Sequence, residues 1–165
     1  MSHDLKNGKE LWRTQLGVSL SDDGHGTAVS PVLFEDLVII LNEHDTSLGY
    51  IAALDQATGK ARWKLDRKIN KMTYSTPILV EYGGQTQLIN ACLDDGLMGV
   101  DPRSGKILWT TPNTYTLRTV AMPVYWQGHV FGSCGGGGKG KLMTAVKLGG
   151  KGKVTETHVA WERRR

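Results

Sequence analysis

Short apolar stretches separated by turn-forming residues recur along the whole chain. The stretches at residues 37–41, 87–91 and 129–131 are rich in residues that favour β-strands, and residues that favour turns bound each of them. Residues 50–54 and 97–100 have the same character, and each is followed directly by an aspartate. The pattern predicts an all-β chain built from many short strands.

A nine-residue segment with the pattern D-x-x-[NTS]-G-K-x-x-W occurs three times without gaps. A proline followed by Val or Ile is a second marker, at Pro31, Pro77 and Pro123, with 46 residues between successive prolines. Two markers of this kind indicate a structural repeat, because self-similarity at roughly 20 to 50 residues is typical of solenoids and propellers. The first marker comprises Asp4, Gly8 and Trp12, then Asp55, Gly59 and Trp63, and then Asp101, Gly105 and Trp109.

The last unit carries an insertion. The next repeat tryptophan lies 32 residues after Pro31 and after Pro77, whereas Trp161 lies 38 residues after Pro123. Lys147 stands where the other units have aspartate, and the sequence Gly-Gly-Lys-Gly-Lys at 149–153 interrupts the spacing.

Each unit is predicted to hold four strands, with the proline at the start of the first and the tryptophan in the fourth. The D-x-x-[NTS]-G segment joins the third strand to the fourth as a hairpin. Aspartate accepts backbone N–H groups in such a turn, and glycine supplies the positive φ that closes it. Since a tryptophan is too large to be buried within one small sheet, we expect Trp12, Trp63, Trp109 and Trp161 to pack between units.

Four-stranded sheets stacked at a constant spacing are the blades of a β-propeller. The sequence therefore predicts a partial propeller of about three and a half four-stranded antiparallel blades in a single domain, residues 1–165. We place a half blade at 1–16 and complete blades at 27–66, 73–111 and 119–162. Seven or eight such blades would need roughly 320 to 370 residues, so the chain corresponds to about half a ring.

The repeat resembles that of a known family. Ala53, Asp55, Thr58, Gly59 and Trp63 match the tryptophan-docking motif of the pyrroloquinoline-quinone (PQQ) dehydrogenase propellers. The chain is similar as a whole to PQQ-like, or quinoprotein alcohol dehydrogenase-like, repeat proteins. This group includes PQQ-dependent alcohol dehydrogenases, outer-membrane assembly scaffold lipoproteins and large exported bacterial proteins, and the segment 149–161 resembles the last of these most.

The resemblance implies different cofactors for the different members. In the dehydrogenases it implies PQQ, a Ca²⁺ ion, a carboxylate base and usually a disulfide between adjacent cysteines. The cysteines of this chain, Cys92 and Cys134, are 42 residues apart. We therefore expect no catalytic, cofactor-binding or metal-binding residues, and PQQ with calcium only under the alternative that the chain is part of a dehydrogenase.

Composition and charge limit the classes of partner that we expect the chain to bind. The net charge of +4 divides into −3 for residues 1–117 and +7 for residues 118–165. Nucleic acid is disfavoured as the partner of this basic part, because no aromatic residues alternate with its charges to stack on bases. No stretch is long and apolar enough to span a membrane, and the N-terminal residues do not have the layout of a signal peptide. The resemblance, however, implies an exported protein.

Two further motifs are weaker. The stretch 135–141 has the spacing of a phosphate-binding P-loop, but Leu142 replaces the Ser or Thr that would bind Mg²⁺, and a strand is predicted to follow where a P-loop needs a helix. Asp22 and Asp23 lie in a connection between units and could hold a cation only with further oxygen ligands. We interpret both stretches as loops.

The sequence thus favours a non-enzymatic binding or scaffold module that forms part of a longer or self-associating PQQ-like propeller. An incomplete ring leaves blade faces and strand edges open, and we expect a protein partner or a second copy of the chain to bind there.

Overall fold

Antiparallel hairpins make up almost all of the regular structure. The computed structural model describes residues 1–17, 28–44, 49–136 and 139–164, and within these ranges it has fifteen strands and one four-residue helix. The prediction of an all-β chain is confirmed. Asp22 and Asp23, and the middle of the glycine-rich stretch at 137–138, lie outside the described residues.

Four sheets follow one another along the chain. The first has two strands, and the second has four strands in the order in which they occur in the sequence. Their bounds are β1 (Ser2–His3) and β2 (Glu10–Trp12), then β3 (Val32–Phe34), β4 (Leu37–Asn42), β5 (Gly49–Asp55) and β6 (Ala61–Arg67).

The third and fourth sheets repeat this meander. Their strands are β7 (Ile78–Tyr82), β8 (Gln85–Cys92), β9 (Gly96–Val100) and β10 (Ile107–Thr110), then β11 (Val124–Trp126), β12 (His129–Gly136), β13 (Lys139–Lys147) and β15 (Val159–Arg164). Each predicted strand lies inside one of these elements, and the strand predicted to follow the P-loop-like stretch is part of β13.

The insertion in the last unit produces two elements that the sequence did not predict. Residues of the insertion form β14 (Gly152–Lys153), which pairs in parallel with β10 of the preceding sheet, and the helix α1 (Thr155–His158) follows. The Val154 N–H also donates to the Thr110 carbonyl (2.9 Å). The insertion therefore ties the fourth sheet to the outer edge of the third.

The core lies between successive sheets. One cluster joins the second sheet to the third, where Ile39, Ile51 and Ala53 meet Leu88 and Met98. A second cluster of the same kind joins the third sheet to the fourth. Because the side chains of a strand alternate between its two faces, the third sheet contributes one face to the cluster with the second sheet and the other face to the cluster with the fourth.

Candidate functional site

The three D-x-x-[NTS]-G segments form hairpins with the same hydrogen bonds. In the second one the Gly59 N–H donates to the Asp55 carbonyl (2.8 Å), and the Asp55 N–H donates to the Lys60 carbonyl (2.8 Å). The glycines at positions 8, 59 and 105 have φ of +70°, +70° and +73°. These bonds and angles account for the aspartate and glycine of the repeat.

The Asp55 carboxylate is also held by its own turn. Its Oδ1 atom accepts hydrogen bonds from the Thr58 hydroxyl (2.8 Å) and the Thr58 N–H (2.9 Å). These bonds to Thr58, with a contribution from Arg62, lower the pKa of Asp55. The carboxylate therefore stabilises the hairpin turn.

Two of the repeat tryptophans lie on the hairpin of the following sheet. Trp12 Nε1 donates to the Gln56 carbonyl (2.9 Å), and Trp63 Nε1 donates to the Pro102 carbonyl (3.0 Å). A Cβ atom at Gly59 would come within 2.4 Å of the Trp12 ring, and one at Gly105 within 2.6 Å of the Trp63 ring. The hairpin glycine is thus required both by its φ and by the ring that lies on it.

Trp109 has a different environment. Its ring lies over Gly99 of its own sheet, where a Cβ atom would be 2.3 Å from Nε1, and Nε1 donates to Gln87 Oε1 (2.7 Å). The fourth sheet has no D-x-x-[NTS]-G hairpin to receive this ring, and β14 pairs with β10 beside it. The replacement of Ala by Gly at position 99 makes room for the ring.

Trp161 lies on a face that nothing in the described part of the chain covers. The side chain is 44% exposed, and its ring centroid is 6.0 Å from that of Phe131 in the same sheet. Met143 of the same face is also exposed. A groove of about 450 Å³ on this sheet is lined by Lys141 and Arg163 among others, so the apolar face has a basic margin.

The repeat prolines each directly precede the first strand of a sheet. The segments that contain Pro31, Pro77 and Pro123 lie side by side. The Ser30 N–H donates to Thr76 Oγ1 (3.1 Å), and Ser75 Oγ donates to the Ala121 carbonyl (2.9 Å). The segments that lead into the first strands of successive sheets are therefore hydrogen-bonded to each other at the proline positions.

A buried charge cluster lies between the second and third sheets. The Arg67 guanidinium is 2.7 Å from Asp95 Oδ2 and 3.5 Å from Glu43 Oε1, and it donates to Cys92 Sγ (3.3 Å). Asn90 Nδ2 donates to the other oxygen of Glu43 (3.1 Å). The side chains of Glu43 and Arg67 are almost wholly inaccessible to solvent.

Burial sets the protonation of this cluster. It raises the pKa of the Glu43 carboxyl, against the opposing effects of Arg67 and Asn90. It also raises the pKa of the Cys92 thiol to about 12, so this cysteine is protonated at neutral pH. Burial opposes the charge of Arg67, but Glu43, Cys92 and Asp95 together raise the pKa of the guanidinium.

Cys92 and Cys134 occupy equivalent places in β8 and β12, and both are buried and free. Ile78 pairs with Ile89 and Val124 pairs with Phe131, which makes each cysteine the third residue after the paired position. Their spacing of 42 rather than 46 residues reflects the shorter first hairpin of the fourth sheet. The two thiols are small side chains between sheets.

The described residues contain no group of three or more His, Cys, Asp or Glu side chains placed to hold a metal ion. Among these residues no helix is long and apolar enough to cross a membrane.

Comparison with known proteins agrees with this architecture. The structure is similar to BamB from Moraxella catarrhalis, with 19% identity and a TM-score of 0.65 over 98% of this chain and 44% of that one. It is also similar to quinohemoprotein alcohol dehydrogenase from Comamonas testosteroni, with 18% identity and a TM-score of 0.56 over 84% of this chain and 21% of that one. A europium-containing methanol dehydrogenase gives 15% identity and a TM-score of 0.59, over 86% and 25% of the two chains.

The chain spans less than half the length of each of these proteins. Identities this low establish the fold alone. The structural similarity confirms the predicted partial propeller. No curated protein matches the chain in sequence. The family described as outer membrane protein assembly factor BamB matches residues 1–159, so the chain belongs to this family of PQQ-like repeat proteins.

Proposed function

We propose that the chain is a non-enzymatic binding or scaffold module of a PQQ-like propeller, part of a larger ring, which binds a protein through its open sheet face. The observation that carries the proposal is the outer face of the fourth sheet, where Met143 and Trp161 are exposed together. The corresponding faces of the second and third sheets are covered by the next sheet. Contiguous exposed apolar side chains with a polar margin are typical of protein-binding surfaces.

The apolar centre of this face favours a protein partner over a nucleic acid. Lys141 and Arg163 border the groove, and both are positively charged at neutral pH. The centre of the face is apolar, and it does not alternate aromatic rings with cations along a track as a strand of nucleic acid would require. We expect acidic residues at the margin of the partner's surface.

The proposal assigns the chain no quinone site. The two cysteines lie on successive sheets, and the described residues converge on no cation site of three or more His, Cys, Asp or Glu side chains. The buried Glu43 is engaged by Asn90 and Arg67 rather than directed at a cavity. The proposal therefore gives these residues structural roles and leaves PQQ with calcium to the alternative.

The alternative is that the chain is part of a PQQ-dependent alcohol dehydrogenase, which the similarity to two dehydrogenase structures favours. Titration of the purified chain with PQQ and Ca²⁺, followed by quinone absorbance, separates the two functions. A scaffold gives no saturable spectral change and no dye-linked oxidation of alcohols. A saturable change accompanied by turnover would overturn the proposal.

A second experiment tests binding itself. A photo-crosslinking amino acid at Met143, in the cells that produce the protein, is expected to give discrete protein adducts. The matched control is Leu33, which is also exposed but lies in the first strand of the second sheet, away from the open face. Absence of adducts at both positions, or equal adducts at both, would contradict a binding role for the fourth sheet.

The same proposal includes an exported location, periplasmic or extracellular. It rests on the family, whose description refers to the assembly of outer membrane proteins. Fractionation of producing cells tests it, with the protein expected outside the cytoplasm.

A further inference from the structure

The contacts between sheets leave one tryptophan and one hairpin without a counterpart. The Gly59 hairpin holds Trp12 and the Gly105 hairpin holds Trp63. Within the described part of the chain, no atom lies within 4 Å of the position that a Cβ atom of Gly8 would occupy. The Gly8 hairpin at the start of the chain and Trp161 at its end are therefore both unused.

The Gly8 hairpin has the geometry of the two that are occupied. The Gly8 N–H donates to the Asp4 carbonyl (2.8 Å), and the Asp4 N–H donates to the Lys9 carbonyl (2.8 Å). The Lys6 N–H donates to Asp4 Oδ1 (2.8 Å), the counterpart of the bond that Asp55 accepts in the second hairpin. Leu5, whose carbonyl corresponds to those of Gln56 and Pro102, is fully exposed.

Trp161 in turn has the placement of Trp63. Trp63 pairs with Ala53 and Trp161 pairs with Ala145, and in both sheets the register shifts at the residue after the alanine. Both indoles therefore leave the fourth strand of their sheet from the same position. Within the described residues no hydrogen-bond acceptor is found for the Trp161 indole, whereas Trp12 and Trp63 each have one.

We propose that a second copy of the chain covers the open face, with Trp161 of one copy lying on the Gly8 hairpin of the other and its Nε1 donating to the Leu5 carbonyl. The inference rests on the proposed binding function and names its partner. The chain itself carries both halves of the contact, and their geometry is that of two contacts already present within it.

The proposed contact can form twice between two copies. The contact is between different surfaces of the two copies, and such head-to-tail interfaces form rings when the rotation closes. Two equivalent Trp161 contacts then join the two copies.

Size-exclusion chromatography with light scattering on the purified chain tests this. The expected mass is twice the 18.1 kDa of one chain. Trp161→Ala and Gly8→Ala are each expected to weaken association about tenfold or more, because the first removes the ring and the second places a methyl group where the ring must lie. The circular dichroism of both variants should remain that of the native sheet, since neither residue is buried.

Matched controls are available for both variants. Leu33 is 61% exposed on β3 of the second sheet, outside the open face of the fourth sheet, so Leu33→Ala should leave association unchanged. Gly83 also has a positive φ (+60°) and open space around it, so Gly83→Ala imposes the same backbone strain outside the contact.

Mixing the two variants distinguishes a contact between Trp161 and the Gly8 hairpin from one in which each of these regions meets its own counterpart. A mixed pair keeps one intact contact, between Trp161 of the Gly8→Ala chain and Gly8 of the Trp161→Ala chain. The mixture should therefore associate more tightly than either variant alone. The inference would be overturned by a monomeric wild-type chain or by an assembly that both variants leave intact. It would also be overturned by a mixture that associates no more tightly than either variant alone. A monomer that still forms adducts with other proteins at Met143 would leave the proposed function standing.

Discussion

Trp63 lies on Gly105, the glycine of the next sheet's hairpin, and its Nε1 is 3.0 Å from the carbonyl of Pro102 in the same hairpin. One residue of the second sheet thus meets a turn of the third sheet whose shape depends on glycine. The contact is both apolar and directional, because the ring covers the turn while the N–H fixes its position. This arrangement joins sheets that share no strand pairing.

We predict that Gly105→Ala destabilises the fold more than an equivalent change elsewhere. The new methyl group would lie within 2.6 Å of the Trp63 ring, and the residue must keep φ near +73°. Strain of about 1 kcal/mol from φ and about 1 to 3 kcal/mol from overpacking are expected. Urea unfolding measures the difference. Gly83→Ala is the control, and it should cost only about 1 kcal/mol because open space surrounds it; equal losses would contradict the role of the ring.

The four repeat tryptophans are predicted to differ in their contribution to stability. Trp109 is 2% exposed and lies in the core cluster between the third and fourth sheets, so Trp109→Ala should cost about 3 to 5 kcal/mol. Trp161→Ala should cost about 1 kcal/mol or less at concentrations where the chain is monomeric, because nearly half of its side chain remains in water. Thermal or urea unfolding compares them, and similar losses would show that Trp161 is buried in solution.

Gly99 provides a test of the unusual position of Trp109. Alanine is the residue at the equivalent positions 53 and 145, so the repeat alone predicts that Gly99→Ala is tolerated. The structure predicts the reverse, a loss of about 1 to 3 kcal/mol, because the methyl group would be 2.3 Å from Trp109 Nε1.

A double-mutant cycle with Trp109→Leu completes this test. The smaller side chain should remove most of the cost of Gly99→Ala. The loss of stability in the double variant, measured by urea unfolding, should therefore be smaller than the sum of the two single losses. Additive losses would show that Trp109 does not lie over Gly99.

The strands and hairpins could be predicted because their signals are local. Alternating or continuous apolar residues define the strands, and Asp55 with Gly59 defines the turn that joins two of them. The position of Trp109 depends on the sheet that follows, and the only sign of it in the sequence was the glycine at position 99. The pairing of β14 with β10 depends on an insertion of weak strand propensity, and tertiary contacts decide such a segment.

The charge cluster could not be predicted for a different reason. Glu43 and Asp95 follow the second strands of successive sheets, whereas Arg67 ends the last strand of the second sheet. Only the stacking of the second sheet on the third brings them together. Each residue alone has the appearance of an exposed charge near a turn.

Glu43 predicts a dependence of stability on pH. Its pKa is raised in the folded protein by burial, so the folded state binds a proton more tightly than the unfolded state, in which the pKa is near 4.5. The free energy of unfolding should therefore fall as pH rises from about 4.5 to the raised pKa, by at most about 1.4 kcal/mol per pH unit from this group. Asp55, whose pKa is lowered, acts in the opposite direction and at lower pH, where its stabilising contribution is lost as pH falls.

Glu43→Gln isolates the effect. The glutamine carbonyl can still accept the hydrogen bond from Asn90, and Arg67 keeps its ion pair with Asp95 at 2.7 Å. We expect the variant to be at least as stable as the wild type at pH 8 and no more stable at pH 4.5. The difference between their free energies of unfolding should grow as pH rises between these values. Urea unfolding at pH 4.5, 6 and 8 measures it. A variant that is less stable at pH 8 would show that the ionised carboxylate, through Arg67, stabilises the junction of the second and third sheets.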